Sequence, residues 1–141
     1  MTLAMRNRAR LRVAEAMALL LIARLLIAAV PMRLWRGSLG KVEALVNGGH
    51  VKDDRLPRLI ARSVRRACEF VPSAMACLPR AMAAQWMLGR RGVHSALVFG
   101  ILPDARRSET DALHAWVEVG GEIIIGDTGE SEYRRGLVLV Q

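Results

Sequence analysis

Three side chains in the second half of the chain have the chemistry of nucleophilic catalysis: Cys77, His114 and Asp127. A thiol becomes a strong nucleophile when it loses its proton, an imidazole can take that proton, and a carboxylate can orient the imidazole. In this order along the chain, the three residues predict a catalytic triad.

The pairing of the imidazole with the carboxylate follows from a predicted hairpin. Two β-rich runs flank the dipeptide Gly120-Gly121, which suits a two-residue turn. A regular register continued from that turn places three pairs opposite each other: Val119 with Glu122, Trp116 with Ile125, and His114 with Asp127. Directly opposed side chains share a sheet face with Cβ atoms about 4.5–5.5 Å apart. His114 is therefore expected to reach Asp127.

Cys77 is predicted to begin a helix that runs to about Arg91. Unpaired backbone N–H groups and the helix dipole lower the pKa of a thiol at a helix N-terminus. Arg80, one turn further on, adds positive charge and is a candidate for support of the nucleophile. Backbone N–H groups at the same helix start could hold an oxyanion, whereas Gln85, two turns along, is interpreted as a surface or packing residue.

Cys, His and Asp also occur in structural and metal-binding roles, which compete with the catalytic interpretation. A His–Asp pair across a hairpin can be structural, and a single Cys at a helix start is commonly inert. Cys68 falls late in its own predicted helix and is interpreted as a core residue. Structural zinc sites prefer closely spaced Cys and His pairs, which this sequence lacks. We therefore predict catalysis by the three residues together, with no metal and no cofactor.

The pattern along the chain predicts helices followed by strands. Apolar spacing indicates helices over 9–35, with Pro31 near the end, from about Leu56 to Pro72, and over 77–91. Strands are predicted over 95–102, 113–119, 122–126 and 137–140, as an antiparallel meander. This order indicates an α+β fold in which a catalytic helix packs on an antiparallel sheet. We divide it into a basic, apolar helical region, 1–52, and a catalytic core, 53–141.

Positive charge is concentrated in the first half of the chain. Residues 1–66 hold 14 Lys and Arg against 4 Asp and Glu, whereas residues 67–141 hold 7 against 9. An acidic partner such as a membrane surface or an acidic peptide would suit the first half, and nucleic acid is not expected because no reading motif is present. Arg24, in the middle of the first apolar helix, favours a buried or surface-lying helix over a membrane span.

Two cysteines and no evident secretory signal favour a cytoplasmic location, with contact between the first helix and a membrane surface left open.

Four segments carry a resemblance to a known family. They are Cys77-Leu78-Pro79-Arg80-Ala81, Leu88-Gly89-Arg90-Arg91-Gly92-Val93, Leu97-Val98-Phe99-Gly100 and His114-Ala115-Trp116-Val117-Glu118. In this order and spacing, the chain resembles the lasso-peptide leader peptidases, which are transglutaminase-like (papain-like) cysteine proteases. The resemblance covers residues 70–127, and its triad matches Cys77, His114 and Asp127. The context Ile-Gly-Asp-Thr around the acid departs slightly from the family pattern.

The resemblance implies a function and partners. Such proteins remove the leader from a ribosomally made precursor peptide, and a separate ATP-dependent macrolactam synthetase then closes the ring. A recognition domain of winged-helix type is not evident here, so the resemblance implies a separate leader-recognition protein. Alternatively, the basic half of the chain binds the leader directly.

Two other classes remain open from the sequence. One is a different thiol acyl-transfer enzyme on the same fold. The other is a non-catalytic membrane or peptide-binding adaptor built on the basic first helix. The first class would keep the role of Cys77, and the second would not need it.

Overall fold

The computed structural model describes residues 2–42, 55–71, 77–101, 113–126 and 134–141. The helices are α1 (Leu3–Ala29), α2 (Met32–Trp35), α3 (Arg55–Phe70) and α4 (Cys77–Arg90), with a 3-10 turn at Arg36–Leu39. The strands are β1 (Lys41–Val42), β2 (Ala96–Ile101), β3 (Leu113–Val119), β4 (Glu122–Ile125) and β5 (Arg134–Val140). The predicted α+β class is confirmed.

The strands form one antiparallel sheet in the order β1-β5-β2-β3-β4. The predicted meander is confirmed from β2 to β4, but β5 does not extend it, because β5 pairs with β2. The reason lies in β2, where Leu97 and Val98 point to opposite faces and are both fully buried. A strand buried on both faces belongs in the middle of a sheet and takes a neighbour on each side. The short strand β1, which the sequence analysis missed, pairs with the far side of β5.

Three helices, α1, α3 and α4, pack together over one face of the sheet. Their shared core is built mainly from aliphatic side chains, and its largest fully buried members include Leu20, Ile60, Met87, Leu88 and Leu97. The opposite face carries a smaller buried cluster of Ala96, Val98, Trp116, Val138 and Val140. The core therefore draws on both the first helix and the later elements. The predicted boundary at 52/53 lies outside the described residues and stays a prediction.

Helix α1 begins earlier and ends sooner than predicted. The Thr2 hydroxyl caps its N-terminus by accepting a hydrogen bond from the Met5 N–H at 3.4 Å, and the helix ends at Ala29, two residues before Pro31. Among the described residues, no helix combines the length and the apolarity needed to cross a bilayer.

Two polar anchors fix α4 against its neighbours. The carboxylate of Glu15 in α1 accepts two hydrogen bonds from Arg91 (2.6 and 3.0 Å) and lies 3.2 Å from a guanidinium nitrogen of Arg90. Arg91 follows the last residue of α4, and a bidentate pair of this kind fixes orientation as well as distance. Glu15 therefore fastens the C-terminal end of α4 to α1.

The second anchor is Gln85, which is fully buried in the middle of α4. Its side-chain N–H groups donate to the carbonyls of Leu39 (2.8 Å) and Leu139 (3.2 Å), and its oxygen accepts from the Ser95 hydroxyl at 2.8 Å. Buried amides are stable only when their hydrogen bonds are satisfied. Gln85 thus joins α4 to β5, to the 3-10 turn and to the residue before β2, in keeping with a packing role.

Candidate active site

Cys77 is the first residue of α4, as the sequence predicts. Its half-buried thiol forms hydrogen bonds with the imidazole of His114 and with the backbone of Ala115 and Leu78. The first N–H groups of a helix have no partner within that helix. The start of α4 therefore supplies both a nucleophile and donors that could hold an oxyanion next to it.

His114 enters the site from the beginning of β3, and its position fixes its tautomer. The ring nitrogen Nε2 is in close contact with the carbonyl oxygen of Gly126. A carbonyl can only accept a hydrogen bond, so Nε2 carries the hydrogen and donates it. In a neutral imidazole the other nitrogen is then unprotonated. Nδ1 is thus the nitrogen that can accept the proton of Cys77.

Burial and hydrogen bonding have opposite effects on the pKa of the Cys77 thiol. Burial by itself would raise the pKa of Cys77, but hydrogen bonds from His114 and the backbone of Ala115, together with the charge of His114, lower the pKa below that of an ordinary thiol. The hydrogen bond with Cys77 raises the pKa of His114 despite its partial burial, and the Gly126 carbonyl adds to this increase. The lowered pKa of Cys77 and the raised pKa of His114 both favour transfer of the proton from sulfur to nitrogen.

Gly126 is required at its position for two reasons. Its φ of +88° is in the left-handed region, and a Cβ there would lie 2.7 Å from the Ala115 carbonyl oxygen and 3.0 Å from Trp116. Only glycine therefore lets the end of β4 approach β3 closely enough for its carbonyl to meet His114. No role for Gly126 is predicted from the sequence, although a glycine directly after a strand signals such a close approach.

The predicted register between β3 and β4 is correct at the turn and wrong beyond it. Val119 pairs with Glu122 and Glu118 with Ile123, but Ile125 pairs with Val117 rather than with Trp116. A β-bulge at Ile124 adds one residue to β4 and causes this shift. Direct opposition of His114 and Asp127 therefore no longer follows from the hairpin.

The bulge is stabilised from α3. Ile124 and Ile125 are consecutive and yet both enter the same core, as expected for the extra residue of a bulge. A guanidinium nitrogen of Arg65 donates to the Ile124 carbonyl at 2.8 Å. Nothing in the run Glu122-Ile123-Ile124-Ile125 distinguishes a bulged strand from a regular one, which is why the sequence did not reveal it.

Trp116 supports the imidazole from the same face of β3. Its ring stacks on that of His114, with centroids 5.9 Å apart and planes inclined by 29°. The indole N–H donates at 2.9 Å to the carboxylate of Glu118, which is itself buried. Residues two apart on a strand share a face, so alternation from His114 to Glu118 could have identified this row.

The remaining predicted residues have different outcomes. Asp127 lies outside the described residues, and its role as the acid stays a prediction. Cys68 is half-buried against the helical core, and burial raises its pKa. The positive charge of Arg80 lowers the pKa of both His114 and Cys68, so it opposes protonation of the imidazole. Its support of the nucleophile also stays a prediction.

No three His, Cys, Asp or Glu side chains lie together as metal ligands within the described ranges.

A basic groove runs between α3 and the edge strand β4. Three arginines on one face of α3, Arg58, Arg62 and Arg65, line it together with Ala61 of α3 and with Glu122, Ile123 and Ile124 of β4. The groove has a volume of about 260 Å³. From Arg58 beside Glu122 to Arg65 beside Ile124, it follows β4 towards Gly126 and so towards the catalytic pair.

In a comparison with protein families, residues 17–138 match the family described as the transglutaminase-like superfamily. No curated protein and no solved structure matches the chain.

The altered pKa values predict different reactivity for the two cysteines. Cys77 should be alkylated by iodoacetamide at pH values below the ordinary pKa of a thiol, whereas Cys68 should react only above it. In His114→Ala the hydrogen bond and charge that favour the thiolate are lost while burial remains, so the pH profile of Cys77 should move upward. Peptide mass spectrometry after timed alkylation measures each site. The exposed His94 provides the control, since His94→Ala should leave both profiles unchanged; an unshifted Cys77 profile in His114→Ala would contradict the assignment.

A Cβ at position 126 would collide with the Ala115 carbonyl oxygen, so Gly126→Ala should displace the Gly126 carbonyl that orients His114. Alkylation of Cys77 near neutral pH should slow by about tenfold or more, since small displacements of a catalytic group have large effects on rate. Gly92→Ala is the matched control, because Gly92 also has a positive φ but open space around it. Both variants should lose some stability from backbone strain, read by thermal unfolding, but only Gly126→Ala should lose thiol reactivity. Equal reactivity in the two variants would show that the approach of Gly126 to β3 is not needed.

Proposed function

Because this chain belongs to the transglutaminase-like superfamily, which includes cysteine peptidases and acyltransferases, we propose that it is a cysteine peptidase. We further propose that it removes the leader from a ribosomally made lasso-peptide precursor. The observation that carries the peptidase proposal is the hydrogen bond between Cys77, at the start of α4, and an imidazole oriented by the Gly126 carbonyl. The leader specificity is supported by the four sequence segments that resemble the leader peptidases.

The proposed reaction begins with proton transfer from the Cys77 thiol to Nδ1 of His114. The thiolate attacks the scissile carbonyl, and backbone N–H groups at the start of α4 stabilise the oxyanion. His114 then gives its proton to the departing amine, which is the new N-terminus of the core peptide, while the leader remains on sulfur as a thioester. Water, deprotonated by His114, releases the leader.

This chemistry accounts for the proposed partners. Cleavage leaves a free α-amine on the core peptide, and a macrolactam is formed by condensing such an amine with a carboxylate. An ATP-dependent synthetase would supply the activation of that carboxylate. A separate leader-recognition protein would present the precursor to the thiol.

Direct contact between this chain and the leader is supported by the groove lined by Arg58, Arg62 and Arg65. An acidic, extended segment of the leader would find the guanidinium groups of Arg58, Arg62 and Arg65 side by side along β4, where Arg58 also faces Glu122 and Arg65 also donates to the Ile124 carbonyl. Guanidinium groups are well suited to carboxylates because they donate paired hydrogen bonds. We therefore place the leader in this groove, with its cleavage point at Cys77.

The catalytic assignment predicts a pattern among four variants. Cys77→Ala and His114→Ala should each reduce leader removal by about a thousandfold or more, since each removes a group needed for covalent catalysis. Asp127→Asn should reduce the rate by at least about a hundredfold if it orients the imidazole. Cys68→Ala should retain activity. Cleavage of synthetic precursor is followed by mass spectrometry, and an inactive Cys68→Ala beside an active Cys77→Ala would reverse the assignment.

The same assay separates a peptidase from an acyltransferase. Hydrolysis of precursor alone, with no amine acceptor present, is the expected result. Product that forms only when an amine is added, and carries that amine, would identify the transferase instead.

The groove predicts a charge-dependent affinity for the leader. In the inactive Cys77→Ala background, Arg62→Glu should weaken binding of a fluorescently labelled acidic leader peptide by about tenfold at low salt, because it replaces attraction by repulsion. Arg33→Glu makes the same charge change on exposed α2 and should have little effect. Fluorescence anisotropy measures both. Equal weakening by the two variants would indicate that only the overall charge matters and that the groove is not the site.

A further inference from the structure

Helix α1 has two apolar faces, and within the described part of the chain only one of them packs against other elements. Ala16, Leu20 and Ala23 are fully buried against α3 and α4. A second row of apolar side chains lies on the outside of the same helix. This outer stripe consists of Leu11, Ala14, Ala18, Leu21, Leu25 and Ala28, all of them exposed.

The outer stripe is large for a surface that faces only water. Leu11 and Leu25 each expose 68% of their surface and Leu21 exposes 48%, and Ile22 beside the stripe exposes 46%. Contiguous apolar surface of this kind marks an interaction site in soluble proteins. The stripe spans 18 residues, which is about 27 Å of helix.

The spacing of the outer stripe alternates between three and four residues throughout. That is the spacing of a helix seam which packs against a second helix along its length. Leucine and alanine occupy the positions in a fixed order: Leu11, Ala14, Ala18, Leu21, Leu25, Ala28. From Ala28 back to Leu11 the order is alanine, leucine, leucine, alanine, alanine, leucine. Each leucine of the forward order therefore corresponds to an alanine of the reverse order.

We propose that two copies of this chain associate through antiparallel contact between their α1 helices, with the outer stripes facing each other. The layers are then Leu11 against Ala28, Ala14 against Leu25, and Ala18 against Leu21, each repeated by the two-fold axis. Every layer combines one large and one small side chain, so the two helices lie at a constant separation. The contact is self-complementary, as a two-fold dimer requires.

A parallel arrangement fits less well. It would set Leu11, Leu21 and Leu25 against their own copies, and the alanines against alanines. The layers would alternate between wide and narrow, and the alanine layers would leave gaps that cost packing energy.

Charge also favours the antiparallel arrangement. The last turn of α1 has no basic residue to complement its partial negative charge. In the proposed register, the partner copy brings its Arg8 and Arg10 next to this turn. The six residues of the outer stripe carry no charge, so the layers themselves bring no like charges together.

A lipid surface is the other occupant that an exposed apolar helix face could meet. Half of the outer stripe is alanine, which adds little apolar area for insertion into a membrane. Between two helices, by contrast, small residues permit close approach. The composition of the stripe therefore favours a second helix over lipid.

The oligomeric state of the full chain tests the proposal. Sedimentation equilibrium should give twice the monomer mass of 15.5 kDa, and Leu25→Glu should weaken the dimer by about a hundredfold or more, because it places a charge in the apolar contact. Leu3→Glu is the control on the same helix, since Leu3 is 76% exposed but lies outside the six layers. It should leave the dimer intact, and both variants should keep the unfolding temperature of the isolated monomer.

A pair of substitutions tests the register. Ala18→Leu sets leucine against leucine in the two central layers, so it should weaken the dimer by about tenfold even though it adds apolar surface. Combining it with Leu21→Ala exchanges the two residues and should restore the dimer. Monomeric wild-type chain at high concentration, or a dimer strengthened by Ala18→Leu, would overturn the proposal. Binding to anionic vesicles that Ala18→Leu strengthens would assign the stripe to lipid and overturn it as well.

Discussion

The hydrogen bond between the thiol of Cys77 and the imidazole of His114 is the interaction on which the rest of the site depends. Burial alone would keep the proton on sulfur, because a thiolate loses solvation when it leaves water. The imidazole reverses this preference and gains proton affinity in return. The two groups therefore act as one titrating pair, in which each is reactive only because the other is within hydrogen-bonding distance.

The backbone around β4 maintains that pair in its geometry. A bulge at Ile124, fixed by Arg65, shifts the strand by one residue, and Gly126 then approaches β3 more closely than any side chain would allow. The result is a carbonyl oxygen against Nε2 of His114. A carbonyl sets the tautomer as a carboxylate would, but it does not carry the full charge that best stabilises an imidazolium. Asp127, the next residue in the sequence, is the predicted source of that second role, and this stays a prediction.

Residue type and local spacing were enough to predict most of the fold and part of the site. Apolar spacing located the start of α4 at Cys77, and Gly120-Gly121 located the hairpin, because both features are encoded within a short stretch of sequence. The bulge at Ile124 and the pairing of β5 with β2 were not predicted, because they depend on partners far away in the sequence. Arg65 stabilises the first, and the need to cover β2 on both edges determines the second. The contact between Cys77 and His114 also required the fold, since 37 residues separate them.

The position of the thiol is finally a consequence of how α4 is held. Glu15 fixes the end of the helix through Arg90 and Arg91, and Gln85 fixes its middle through carbonyls of Leu39 and Leu139. A helix is stiff, so two fixed points largely determine where its first residue lies. Catalysis is sensitive to displacements of about 1 Å. Residues such as Glu15 and Gln85, which are remote from the sulfur and make no contact with it, therefore contribute to its alignment with His114.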